Sequence, residues 1–302
     1  MPNEKLSITQ FLQLSMPPDS PSSFNNVDSY LSVDKPDSME PIHTTILRSV
    51  AIPPKKVLDA FEVLPDEMIK TSHFESICIP YLSTSLRFPL WIITYWIALS
   101  EVRKSQIRWK TAKEAFQQTI SNSRLPVPLM ASLMNVQQAL SKISRSTCLE
   151  GFPGNPSVET LTTYMIPNEW LTDIHEAQLL ELLRRDLQQT PQKEGTNIED
   201  VFFVTLLCDA YENRKHYLLD RHWKWLREKG DTYANGTWKE AATITITGGN
   251  HLVAIVLDFE NASVRYGDSM GGKLTEDMKT AIEWWTFTHS SQKFTHQSLP
   301  IA

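Results

Sequence analysis

The chain has 302 residues, 41% hydrophobic and 21% charged, enough to bury a full core and to hold more than one region. A formal net charge of -6 and a pI near 5.8 argue against a nucleic-acid partner, because neutralising phosphates takes a clustered basic face. The most apolar run, residues 88–99, is 12 residues long with Pro89 inside it, against about 20 for a spanning helix, so no membrane segment is predicted.

Residues 1–41 hold eight Ser and six of the eighteen Pro with few large apolar side chains, too little burial to offset the entropy of ordering. That composition predicts a disordered tail. Met-Pro-Asn-Glu-Lys at the start has no apolar signal core, and three scattered Cys make no disulfide framework, which together imply a reducing nuclear or cytoplasmic compartment. Residues 42–145 read as a helical region, with helices predicted over 54–64, 89–120 and 128–143, each with proline where a first turn tolerates it. Arg103, Lys104, Arg108, Lys110 and Lys113 recur beside apolar Ile107, Trp109, Ala112 and Phe116, the pattern of a solvated helix face. Trp91, Tyr95, Trp96 and Trp109 at helical spacing read as core.

Gly151, Pro153, Gly154 and Pro156 mark 146–160 as a turn-rich linker. In the remaining region, 161–302, a helix is predicted over 173–186, with Asp173 and Glu176 at capping-box spacing, and further helices over 201–211 and 216–229. Strands follow at 242–247, His251–Asp258 and Ser263–Gly267, then a helix over 274–289 and the start of another strand at 294–301. Helices first and an antiparallel sheet after them give an α+β fold.

The hairpin carries the chemistry. His251 opens one strand and Asp268 closes the next, 17 residues on, with the polar turn Phe259-Glu260-Asn261-Ala262 between them. A strand pair of that length returns Asp268 to the end at which His251 starts. A carboxylate that holds one ring nitrogen leaves the other to deprotonate a nucleophile, the orienting half of a catalytic triad.

With Tyr266-Gly267-Asp268-Ser269 and the upstream Trp170-Leu171-Thr172-Asp173, this block resembles the Ulp1-like cysteine peptidases that process ubiquitin-like proteins. The resemblance covers roughly residues 160–302 and implies a papain-like, Ulp1-like fold with no cofactor and no metal. It implies that His251 is the general base and Asp268 its orienter, that Trp170 walls a channel for a Gly-Gly tail, and that Asp173 contacts a ubiquitin-like protein or its conjugate. A second Trp usually follows the family's His, and here Leu252 stands in its place, a departure in the second wall of that channel. The family's Gln and nucleophilic Cys come after the Asp, whereas no Cys follows Cys208. The expectation is a peptidase region that lacks its C-terminal nucleophile segment and is inactive as it stands. A head, a helical layer and such a block also resemble proteins encoded by fungal mobile elements.

Rival chemistries find less support. Gly267-Asp268-Ser269-Met270-Gly271 matches a serine nucleophile elbow, but only 33 residues of mostly helix follow Ser269, without room for the acid and His of that architecture. Cys208 lies in an apolar run where a thiol stays unreactive. His216 and His222, six apart, fit no zinc spacing. The alternative from another class is a non-catalytic module that binds ubiquitin-like proteins or another partner.

Overall fold

The computed structural model describes residues 5–21, 23–37, 50–63, 74–82, 86–122, 124–190, 195–247 and 251–299. They divide into two compact units, Met1–Thr147 with Ser157–Glu169, and Cys148–Pro156 with Trp170–Ala302. Both units combine helices with a sheet, and neither alternates strand and helix throughout, an α+β fold.

The first unit contains α1 (Ile8–Leu12), β1 (Leu31–Ser32), α2 (Lys55–Val63), β2 (Ser76–Ile77), β3 (Phe88–Pro89), α3 (Ile92–Ile120), α4 (Val127–Lys142) and α5 (Leu161–Met165). The three short strands form an antiparallel sheet in the order β1-β2-β3. Helix α3 buries Ile92, Ile93, Trp96 and Leu99, the i, i+3, i+4 row of an amphipathic helix, in one core with Val57, Leu58 and Phe61 of α2.

The expected disordered tail is corrected here. Residues 5–21 and 23–37 are folded, with α1 closed by a Ser7–Gln10 capping box and with Phe11 and Tyr30 both 0% exposed. Tyr30 stacks edge-on against Trp96 at 6.1 Å, and Gln106 Nε2 donates to the carbonyls of Phe11 and Leu14. Each buried aromatic contributes about 1.5–3 kcal/mol, which a count of Ser and Pro does not register. Residues 1–4, 22 and 38–41 of that segment, and Leu64 of the helix expected over 54–64, lie outside the described residues.

The second unit contains α6 (Asp173–Gln188), β4 (Thr196–Ile198), α7 (Phe203–Glu212), α8 (Lys224–Ala234), β5 (Glu240–Thr247), β6 (His251–Asp258), β7 (Ser263–Gly267), α9 (Glu276–Ser290) and β8 (Thr295–Ser298). Its sheet runs β4-β5-β6-β7-β8, antiparallel at the centre and parallel at both edges. Ala241, Ile255, Leu257 and Val264 share a core with Phe203, Leu207, Leu226, Tyr233, Ile282 and Trp285 from α7, α8 and α9. Ala242 and Ile244 pack instead with Leu180 of α6 and with Ile198 and Val201.

Three expectations change in detail. The linker at 146–160 is a packed turn: Leu149 N–H donates to Pro156 O, and the Arg185 guanidinium donates to Gly151 O and lies over the Phe152 ring. Val158 is 0% exposed. The helix expected over 216–229 is broken because the Asp220 carboxylate caps a new turn by accepting from His222 N–H, and α8 starts at Lys224. The strand expected over 294–301 is Thr295–Ser298, paired parallel to β7, and residues 300–302 lie outside the described ones.

Candidate active site

The β6–β7 connection fixes the register on which the site depends. Asp258 closes β6 and is 6% exposed; its two oxygens accept from the Asn261 backbone N–H and side-chain amide, both at 2.9 Å. Ala262 then turns with φ 47. The ladder pairs Ala254 with Gly267, so one step further Asp268 comes opposite Val253. His251 is two residues before Val253 and therefore shares its face, diagonal to Asp268 and within reach of a long side chain.

His251 Nε2 lies 2.6 Å from Asp268 Oδ1. The His251 side chain is 24% exposed and that of Asp268 is 5% exposed, so the acid is sheltered and the ring reaches solvent. The same Oδ1 accepts from Met270 N–H at 2.7 Å, and the Tyr266 hydroxyl donates to Oδ2 at 3.3 Å. The His251 hydrogen bond, followed by that of Met270, holds the Asp268 carboxyl below its ordinary pKa. An ionised Asp268 accepts from Nε2–H, which leaves Nδ1 with its lone pair free to take a proton.

Tyr266 belongs to the Tyr266-Gly267-Asp268-Ser269 block, and strand alternation puts it on the same face as Asp268. Gly272 is the neighbour that the sequence did not point to: a Cβ there would stand 2.3 Å from Asp268 Oδ2, so the loop passes the carboxylate with room for hydrogen only.

The other candidates separate from this pair. Trp170 is 76% exposed, so it anchors no core and leaves an indole open to solvent. Asp173 is exposed in the first turn of α6, where its charge favours the helix N-terminus. The cap expected from Asp173 belongs to Thr172, whose N–H is accepted by His175 Nδ1 at 3.1 Å; Asp173 already has helical backbone geometry and cannot fill the cap position. Leu252 points to the opposite face from His251 and pairs with Ile246. Among the described residues no hydrogen bond or ring contact joins Trp170 to the His251–Asp268 pair.

Ser269 is exposed and follows the strand as part of a turn. Burial, and then the charges of Asp209, Asp277 and Glu212, push the Cys208 thiol up, which keeps it protonated. Among the described residues neither Cys148 nor Cys208 is hydrogen-bonded to His251, and no group of three or more His, Cys, Asp or Glu could hold a metal ion. No described helix is long and apolar enough to cross a membrane.

No protein-family model matches the chain, and a search of curated proteins finds no match. Among solved structures, it is similar to the SUMO protease Ulp1 with its catalytic cysteine oxidised to a sulfinic acid, at 20% identity and a TM-score of 0.40 over 55% of this chain and 72% of that one. The C-terminal Ulp1 protease domain in complex with Smt3, the yeast ortholog of SUMO, gives 17% identity and a TM-score of 0.39 over the same shares. The Xanthomonas campestris effector protein XopD bound to ubiquitin gives 20% identity and a TM-score of 0.30 over 44% of this chain and 64% of that one. Identities of 20% or less and TM-scores of 0.40 or less leave the chemistry to be read from the chain's own residues.

Proposed function

We propose that the second unit is a cysteine-peptidase domain of the Ulp1-like, papain-like class, directed at a ubiquitin-like protein or its conjugate. The observation that carries this reading is the 2.6 Å contact between His251 Nε2 and Asp268 Oδ1 at the end of the β6–β7 hairpin. In the proposed mechanism Nδ1 of His251 takes the proton of a thiol, the thiolate attacks the scissile carbonyl, and the imidazolium returns the proton to the leaving amine. Asp268 keeps the ring in the tautomer this needs and stabilises the imidazolium. Trp170 and Asp173 are assigned to the substrate side, with Leu252 in place of a second aromatic wall.

Residues 1–302 supply the base and its orienter but not the nucleophile. Cys208 is held as a thiol, and the covalent route is absent without a thiolate beside Nδ1. A ubiquitin-like probe with a C-terminal electrophile is therefore expected to leave the chain unlabelled. The chain joined to the Gln-and-Cys segment of a ubiquitin-like-protein peptidase is expected to be labelled, and to lose labelling on His251→Ala. An unlabelled joined chain, shown to be folded, would sink the reading, as would labelling of residues 1–302 that disappears on Cys208→Ala.

The exposed Trp170 favours a second reading, a module that binds ubiquitin-like proteins without cleaving them. Under that reading Trp170→Ala abolishes binding while His251→Ala leaves it unchanged.

A further inference from the structure

The connection between α7 and α8, residues 213–223, holds two leucines out in water. Tyr217 and Trp223 are buried in the core of the second unit. The Arg227 guanidinium donates to the carbonyls of Tyr217 and Asp220, and the Asp220 carboxylate caps the next turn, so the loop is tied on both sides of its tip. Between these anchors Leu218 is 65% exposed and Leu219 88%, more than any other large hydrophobic side chain among the described residues. A single exposed leucine needs no explanation, but an adjacent pair held out by an anchored loop does. From Asn213 to Lys224 the chain carries four cations, Arg214, Lys215, Arg221 and Lys224, against one carboxylate, Asp220, in a protein of net charge -6. All four cations are exposed. Lys224 pairs with Glu228 at 3.5 Å, whereas Arg214, Lys215 and Arg221 enter no ion pair among the described residues. Of the neighbouring carboxylates, Asp209 and Asp220 line a cavity with His216, His222 and Trp223, and Glu212 ends α7.

We propose that the α7–α8 loop docks the second unit on an anionic membrane surface. Leu218 and Leu219 enter the boundary between headgroups and acyl chains, and Arg214, Lys215 and Arg221 meet the negative charge of the headgroups. The long stems of these cations let their charged ends stay at headgroup level around the inserted leucines. Charge complementarity favours this occupant, and the leucines separate it from a nucleic acid, which would use the cations and leave the apolar pair in water. A protein partner would need a pocket shaped for two adjacent leucines, whereas a bilayer asks only for depth. Charges elsewhere on the acidic chain are screened beyond about 8 Å at physiological salt, so the patch at the tip decides the contact. The attachment is by a surface loop and involves no spanning helix. Its test does not depend on the peptidase reading.

The experiment is flotation of the full chain with vesicles of phosphatidylcholine and phosphatidylserine in equal parts, with vesicles of phosphatidylcholine alone and a DNA duplex as comparisons. Binding to the anionic vesicles is expected, weakening as salt is raised, with none to phosphatidylcholine alone. The Leu218→Ser, Leu219→Ser double variant should bind at least about tenfold more weakly, since it loses the transfer of both apolar side chains. Arg214→Gln, Lys215→Gln and Arg221→Gln should each cost about fivefold. All of these are surface changes, and unchanged circular dichroism shows that the variants are folded. A chain that does not float with anionic vesicles, equal binding to phosphatidylcholine alone, or undiminished binding by the folded double leucine variant would each overturn the proposal. Equal affinity for the duplex, untouched by the leucine changes, would make the loop a general polyanion surface and overturn it as well.

Discussion

The Asp268 carboxylate is surrounded on every side that a substitution can probe. His251 and Met270 N–H meet Oδ1, the Tyr266 hydroxyl meets Oδ2, and the Gly272 backbone passes close to Oδ2. Gly272→Ala forces either the loop or the carboxylate to move, an overpacking change that costs about 1–3 kcal/mol. The expected outcome is loss of the single Nε2–H tautomer of His251, read from its imidazole nitrogen shifts; an unchanged tautomer in a folded Gly272→Ala protein would show that the loop yields and the pair does not depend on it. The lowered Asp268 pKa gives a sign as well. Its contribution to stability is present above the unfolded carboxyl value of about 3.9 and is lost as pH falls through the folded value. His251 and Asp268 were legible in the sequence because strand alternation and a short hairpin determine where both go. Gly272 was not, because the approach of backbone to a carboxylate is a tertiary event with no local pattern.

Among elements, the joint between the end of β4 and helix α8 holds a buried charge. Glu199 is 2% exposed, and its Oε1 accepts from Lys229 Nζ at 3.0 Å, from Asn197 Nδ2 at 2.6 Å and from the Tyr233 hydroxyl. Burial, then the Glu199 charge, pushes the Tyr233 phenol up, so it remains a donor. Lys229→Met removes the only cation on this carboxylate among the described residues and leaves its charge uncompensated. A loss of about 1.5–3 kcal/mol in denaturant unfolding is expected, most of it recovered in the Lys229→Met, Glu199→Gln double variant. A double variant no better than the single one would mean that the lysine contributes packing rather than charge. Helices and strands were readable at this scale where periodicity ran long, as in α3 and β6. Boundaries set by one side chain were not, since Thr172 and Asp173 both suit a helix start and only the backbone angles choose between them. The segment before β1 was misread for a related reason: average composition hides two aromatics, Phe11 and Tyr30, that find partners far along the chain.

For the molecule as a whole, each of the two units has a large buried core of its own, which implies two cooperative systems. One titratable group marks the second of them. Trp285 Nε1–H donates to the Tyr217 hydroxyl at 3.0 Å, so the Tyr217 hydrogen is directed to His289 Nε2 at 2.9 Å, and His289 Nδ1–H points to Asp231 at 3.0 Å. Gly230 meets the same ring so closely that a Cβ would stand 2.4 Å from it. Protonating Nε2 would take away the acceptor of the buried Tyr217 hydrogen, and burial, only partly opposed by Asp231, lowers the His289 pKa. A histidine held neutral in the folded state stabilises above its unfolded pKa of about 6.5, and that stability is lost as pH falls below it. Calorimetry of the full chain should therefore resolve two transitions, of which the one carrying this network drops more steeply between pH 7.5 and 5.5. His289→Gln should flatten that drop without moving the other transition. A single transition would refute the two cooperative systems, whereas two transitions with equal pH dependence in the wild type and His289→Gln would refute only the role of His289.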